Sequence, residues 1–266
     1  MFQSATDAWI ALLSDTLDRG VLVSPRGRNT KELLHRTIEV DMRKPVIMAE
    51  DRRLNYRFMA AEAYWILTGD NTVDGIARYN SHIAQFSDDG KTFFGAYGPR
   101  IAAQVNYVVS KLLEDPLSRQ AGLTIWRENP PTTKDVPCTV AMFFNIRDWR
   151  LNCHVFMRSS DQWLGVPYDI FNFSCVAYMI CCRLNLSSQD TDIRPGTLYL
   201  TAASSHLYET NWDAARSITQ LPRRSLEPSL MVPRKWYITE GTLYGELREL
   251  REPDRSVSSL RWWKNA

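Results

Sequence analysis

Residues 158–173 read RSSDQWLGVPYDIFNF. An arginine, two serines and an acid come first, a Gly-Val-Pro turn follows, and a second acid, Asp169, stands between Tyr168 and Ile170. Aromatic and β-branched neighbours predict a buried position for Asp169, and a buried carboxylate must find a partner or take up a proton. Both flanks extend the pattern. Upstream, TVAMFFNIRD and RLNCHVFMR read as the strands of a hairpin that turns at Asp148-Trp149-Arg150. Downstream, Phe171 to Leu184 reads as a strongly apolar helix.

Further from this corner the signals alternate. An amphipathic helix is expected over Ala5 to Arg19, followed by the turn-rich SPRGRNT and by RTIEVDM, which alternates in the manner of a strand. Arg52 to Thr68 reads as a long helix ended by Gly69-Asp70-Asn71, and Ile101 to Glu114 as another, stopped before Pro116. LTIW is a short strand, and Pro195-Gly196 makes a turn into the strand TLYLTAASS. The charged and aromatic tail from residue 222 to 266 is placed only loosely. No repeat, low-complexity run or linker divides the chain, so residues 1–266 are read as one α+β domain.

The chain has 266 residues, 44% of them hydrophobic, enough for one sizeable core. Its 32 basic and 30 acidic residues are interspersed, giving a formal charge of +2 with no polybasic block. That argues for a small anionic ligand and against a requirement for nucleic acid. Cys138, Cys153, Cys175, Cys181 and Cys182 show neither CxxC nor His spacing for a metal and read as reduced thiols of a cytoplasmic protein. The N-terminus lacks the basic start and apolar core of a signal peptide, and no uninterrupted run of about eighteen apolar residues suggests a membrane span.

A thiol is the strongest nucleophile among these residue types, and Cys138 differs from the other four. It follows Pro137 and opens a strand after the loop NPPTTKDVP, a position suited to a cleft edge. Arg158, if adjacent, would lower its pKa and favour thiolate. Arg28, Arg119 and Arg158 each neighbour small hydroxyl residues, as GRNT, LSRQ and RSSD, a pattern suited to phosphate and equally found on solvated surfaces. Glu62 interrupts the apolar run MAAEAYWIL; a buried acid with a raised pKa suits proton transfer, and an ordinary polar helix position explains it as well.

Taken in order, Glu-x-x-Trp-x-Leu-x-Gly-Asp (62–70), Tyr97-Gly98, Ser118-Arg119, Pro137-Cys138, Arg158-Ser159-Ser160-Asp161-x-x-Leu-Gly-Val-Pro (to 167), Pro195-Gly196 and His206-Leu207-Tyr208 resemble the thymidylate synthases and their pyrimidine hydroxymethylase relatives. The likeness runs from about residue 28 to 211. It implies an α+β fold with a large mixed sheet whose face forms a homodimer interface, Arg119 crossing to the partner's site. It implies that Cys138 adds to C6 of a pyrimidine nucleotide, after which C5 takes the one-carbon unit of 5,10-methylenetetrahydrofolate. By position, Glu62 would organise water and move protons, Tyr97 would assist proton removal at C5, and Asp161 would support folate and base. Arg28, Arg119, Arg158 and Ser159 would hold the phosphate, His206 and Tyr208 the sugar, and Arg52, Glu62, Ala84, Asp161 and Gly165 would face the folate.

The resemblance also gives Asp169 a purpose. Thymidylate synthases carry Asn at this position, donating to uracil O4 and accepting from N3–H. Cytosine reverses both roles, and a carboxyl group meets it either as a neutral acid giving its proton to N3 or as a carboxylate against N3-protonated cytosine, its other oxygen accepting from the 4-amino group. Asp169 therefore points to a cytosine nucleotide, dCMP or CMP, as does Thr139, where synthases usually carry His. Ala84 falls where synthases usually have a Trp covering the one-carbon adduct, which leans toward hydration and a hydroxymethyl product. Gln120 replaces a second Arg, SSHLY lacks an Asp, and the tail SLRWWKNA is unlike the short apolar tail that closes over folate.

Overall fold

Ser4 caps the first helix by accepting the Asp7 amide (3.1 Å), and α1 (Ala5–Arg19) buries Trp9, Leu12, Leu13 and Leu17, as its apolar spacing predicts. The computed structural model describes residues 4–187, 192–221 and 239–252. β1 (Val21–Val23) and β2 (Thr30–Asp41) are joined by a short 3-10 turn, in which Arg26 and Gly27 take left-handed conformations.

α2 (Tyr56–Leu67) begins later than expected because Asn55 caps it, accepting from the Phe58 amide (3.0 Å), while residues 50–52 form their own 3-10 turn. After the short α3 (Val73–Ala77), α4 (Tyr97–Glu114) starts one turn before the expected Ile101. Pro99 falls in its first turn, where a missing N–H costs nothing, so the helix begins before it.

β3 (Gly122–Thr124), β4 (Thr139–Arg147) and β5 (Arg150–Asp161) follow. The β4–β5 hairpin turns at Asp148 and Trp149, both at positive φ, the geometry a two-residue hairpin loop requires. α5 (Val166–Ser187) starts five residues before the expected Phe171, which puts Asp169 in the first helical turn. The helix is long and apolar enough to cross a membrane, but most of it, including Cys175, Cys181 and Cys182, is buried in this core. Its apolarity serves packing.

β6 (Arg194–Tyr208) contains Pro195 and Gly196, which therefore do not form a turn. They lie against an irregularity of β5 between Leu151 and Cys153, where the Asn152 side chain accepts the Thr197 amide (2.9 Å) and a proline need not donate to the ladder. α6 (Trp212–Gln220) and α7 (Glu240–Leu250) complete the described chain. α7 falls in the tail that sequence placed loosely: it buries Leu243, Leu247 and Leu250, and Glu240 pairs with Arg183 (2.8 Å). SLRWWKNA lies outside the described residues.

The six strands form one sheet in the order β1-β2-β6-β5-β4-β3, antiparallel except for β5 and β6. Strand alternation sends Met142, Phe144, Cys153, Val155, Leu198 and Leu200 into the core beneath the helices. The opposite face carries Phe143 and Phe156, 42% and 45% exposed, with His154 stacked on Tyr199.

Candidate active site

Cys138 immediately precedes β4, and β5 runs beside it, so that the Arg158 amide donates to the Cys138 carbonyl (2.8 Å). The Arg158 guanidinium grips the loop before the cysteine, donating from Nε to Pro137 O (3.0 Å) and from Nη2 to Val136 O (2.9 Å). Its Nη1 reaches Ser159 Oγ (3.2 Å), which lies 3.7 Å from Cys138 Sγ. The expected meeting of Arg158, Ser159 and Cys138 thus occurs. Its effect on the thiol is smaller than expected: burial raises the Cys138 pKa, and the Arg158 charge and the Ser159 hydrogen bond only partly offset it. The resting group is a thiol. Removing Arg158 as Arg158→Ala should slow iodoacetamide alkylation of Cys138 on the order of 10-fold at pH 8; an unchanged rate would show that the guanidinium does not act on the thiol.

The corner after β5 is built by Asp161. Its Oδ1 accepts the amides of Trp163 and Leu164 (2.8 and 2.9 Å), and its carbonyl accepts Gly165 N–H (3.0 Å). The buried Gln162 ties this corner to α1 and β6, donating to Thr16 and Ser205, while Trp9 Nε1 donates to its carbonyl. Gly165 permits close approach: a Cβ there would stand 3.2 Å from Asp169 Oδ2. Arg52 closes the outside, donating to Trp163 O (2.7 Å) with its guanidinium over the indole.

Asp169 and Glu62 meet at a cavity of about 300 Å³, whose lining includes Tyr97, Asn172, Phe58 and Asp135. Each acid keeps some accessible surface because it faces this cavity, yet the protein packed around both makes desolvation the dominant influence. Burial pushes Glu62 up to about 7, partly offset by the Asn172 amide, which donates to its Oε2 (2.7 Å). Burial likewise raises Asp169 well above the ordinary carboxylate range, and the charges of Glu62 and Asp161 add to the effect. Asp169 therefore holds a proton more readily than an exposed carboxyl group does, and in its protonated form it can donate. Tyr97 accepts the Thr139 amide through its hydroxyl (3.3 Å), and its pKa is raised by burial and by the nearby Asp169 and Cys138. Tyr97 thereby links the cavity to the nucleophile.

A raised carboxylate pKa has a stability consequence of definite sign. The unfolded Glu62 ionises near 4.5 and the folded one near 7, so folding is progressively penalised as pH rises through that window. Glu62→Gln keeps an acceptor for Asn172 and removes the penalty. It should stabilise the protein by up to about 3 kcal/mol at pH 8 and by much less at pH 5, measured by urea denaturation.

Arg28, His206 and Tyr208 gather at one end of the β2–β6 ladder. Tyr208 pairs with Thr30, Arg28 stands 5.8 Å from the Tyr208 ring, and His206 lies beside Asp161 in the parallel register. Arg119 stands apart, exposed in the turn after α4. Ala84 is half-buried on the 3-10 turn 81–86, and the residues of that turn on the cavity wall are Ile83 and Phe86. Asn172 and Asp135 are among the cavity residues that escaped the sequence reading. Asn172 stands three positions after Asp169 on the same helix face, a spacing that would have revealed it once the helix was known to start at Val166. Asp135, which accepts Gly95 N–H (2.6 Å), had only its nearness to Cys138 as a signal.

The comparisons agree with this geometry. The family model described as thymidylate synthase matches residues 7–242. A curated relative, the deoxyuridylate hydroxymethyltransferase of Bacillus phage SP01, is 28% identical over 234 residues, covering 79% of this chain. The chain spans 58% of that relative's length. With the cysteine and the arginine–serine corner at the sheet, the acids of α2 and α5 beside them, and the match running through all of them, the chain belongs to the thymidylate synthase family.

Proposed function

We propose that the protein is a folate-dependent cytidylate 5-hydroxymethylase acting on dCMP, with CMP as the alternative sugar form. The observation that carries the base assignment is Asp169, a carboxyl group on the wall of the cavity whose pKa burial raises. It donates to cytosine N3 and accepts from the 4-amino group. Uracil offers N3–H and O4, which the same group meets only with its proton carried on the other oxygen, and its ionised form sets a lone pair against O4. The relative's name supports the hydroxymethyl half of the reading; its deoxyuridylate half concerns that protein.

Cys138 gives up its proton and adds to C6, and the electron pair displaced from the C5–C6 bond makes C5 nucleophilic, helped by the proton Asp169 gives to N3. Methylenetetrahydrofolate supplies the one-carbon unit, and the aromatic and apolar walls of the cavity, Phe58, Trp65, Ile83 and Phe86, suit its flat ring. Tyr97 assists removal of the C5 proton, and Glu62, near neutrality in its pKa, passes protons and orients the water that adds to the exocyclic carbon. The C6–S bond then breaks. In sum, nucleotide, methylene donor and water give hydroxymethyl nucleotide and tetrahydrofolate.

Arg28, Arg158 and Ser159 hold the phosphate, with Arg119 supplied by a partner subunit, and His206 and Tyr208 hold the sugar. The apolar open face of the sheet, with Phe143 and Phe156, supports such a homodimer. All five cysteines are free thiols, four of them buried, in keeping with a cytoplasmic protein. A related reading, methylation with hydride transfer from folate, is favoured by Ile83 and Phe86, which fill the wall where an alanine was expected. The fate of the folate separates the two. Tetrahydrofolate as the sole folate product supports hydroxymethylation, and the absorbance of dihydrofolate supports methylation.

A further inference from the structure

We propose that Asn172 is a second base-reading residue: its amide oxygen accepts the second N–H of the cytosine 4-amino group, and Glu62 fixes which way the amide faces. The inference rests on the cytosine reading of the site and deepens it.

Asn172 is 4% exposed and lies on the cavity with Asp169 and Glu62. Its Nδ2 donates to Glu62 Oε2 at 2.7 Å, while its Oδ1, equally buried, has no hydrogen-bond partner among the described residues. Buried acceptors in folded proteins are almost always satisfied, so an orphan oxygen on a cavity wall marks a place where a ligand N–H arrives. A helical spacing of three brings Asn172 to the face that carries Asp169. The exocyclic amino group of cytosine has two hydrogens. Asp169 accepts one beside N3, and in a site closed to water the other needs its own acceptor.

Uracil presents only lone pairs at O4, which would face the lone pairs of Oδ1. Turning the amide over would bring Nδ2 to O4 but would set Oδ1 against Glu62, an arrangement tolerated only when Glu62 is protonated. The Glu62–Asn172 pair therefore rejects uracil at position 4, independently of the reading of N3 by Asp169. Asn172 touches the base rather than the reacting carbons, which makes it a determinant of specificity.

The test is calorimetric binding of dCMP and of dUMP to the wild-type chain, Asn172→Ala, Asn172→Ser and Asp169→Asn, each checked for cooperative unfolding. Asn172→Ala should weaken dCMP binding on the order of 10-fold and leave dUMP within about twofold or tighter. Asn172→Ser, whose hydroxyl is too short to replace the amide, should move in the same direction and is decisive if the alanine variant fails to fold. Equal losses for both nucleotides, or no loss for dCMP, would overturn the proposal, since a residue that merely braces Glu62 does not distinguish the bases. If the wild-type chain prefers dUMP, the cytosine reading falls and this inference with it. If it prefers dCMP with a ratio unmoved by either Asn172 substitution, only this inference falls.

Discussion

Cys138→Ser should abolish turnover, lowering kcat on the order of 10^4-fold or more, with folding and nucleotide binding largely intact. The size of the effect follows from the chemistry. A serine hydroxyl at this position has no base placed to activate it, and Arg158 is committed to the carbonyls of Val136 and Pro137 and to Ser159. The thiol of the wild-type chain ionises far more readily even with burial raising its pKa. The same substitution should remove the one accessible thiol, because Cys153, Cys175, Cys181 and Cys182 are buried. Steady-state kinetics and stoichiometric thiol labelling check both statements, and turnover surviving in the serine variant would sink the nucleophile assignment.

Asp169→Asn should invert base preference, shifting the ratio of kcat/KM for dCMP over dUMP on the order of 10^3-fold. The amide is nearly isosteric with the carboxyl group, so the cavity keeps its shape and changes only its hydrogen-bonding pattern. Asn donates to O4 and accepts from N3–H, as uracil requires. A variant that remained selective for cytosine would refute the base-reading argument, and one inactive on both nucleotides but stably folded would show that Asp169 has a role beyond recognition. In the role proposed for it, Asn172 limits the inversion, its unpartnered oxygen being the acceptor for the 4-amino group.

Much of the fold was legible because local signals and tertiary structure agreed. α1 follows its apolar spacing and cap residue to the residue, and the β4–β5 hairpin turns where two strand-like runs meet. Two of the misreadings treated proline as punctuation, at Pro167 and at Pro195. Pro99 and Pro167 sit in the first turns of α4 and α5, where no amide is required, and Pro195 lies within β6 beside an irregularity of its neighbour. The α5 boundary mattered most. Placing the helix start at Phe171 left Asp169 outside it and hid the i, i+3 relation with Asn172.

Within the site, motif spacing identified the groups and only the structure gave their state. Sequence suggested that Arg158 would favour a thiolate, whereas the balance of burial against one half-solvated guanidinium leaves a thiol. No sequence pattern announces how much water surrounds a group. The raised pKa of Asp169 likewise reflects burial first and then Glu62, more than a hundred positions away, whose own shift Asn172 moderates. The resemblance assigns Ala84 to the folate, and the residues of its turn that line this cavity are Ile83 and Phe86.

The most direct measurement is a mass-spectrometric product assay with dCMP, CMP and dUMP offered in parallel, each with methylenetetrahydrofolate and the unmodified chain. The account predicts 5-hydroxymethyl-dCMP with tetrahydrofolate, little reaction with dUMP, and a rate on CMP that settles the sugar. A product formed only from dUMP would contradict the role given to Asp169, and 5-methyl-dCMP with dihydrofolate would keep that role while overturning the hydration step.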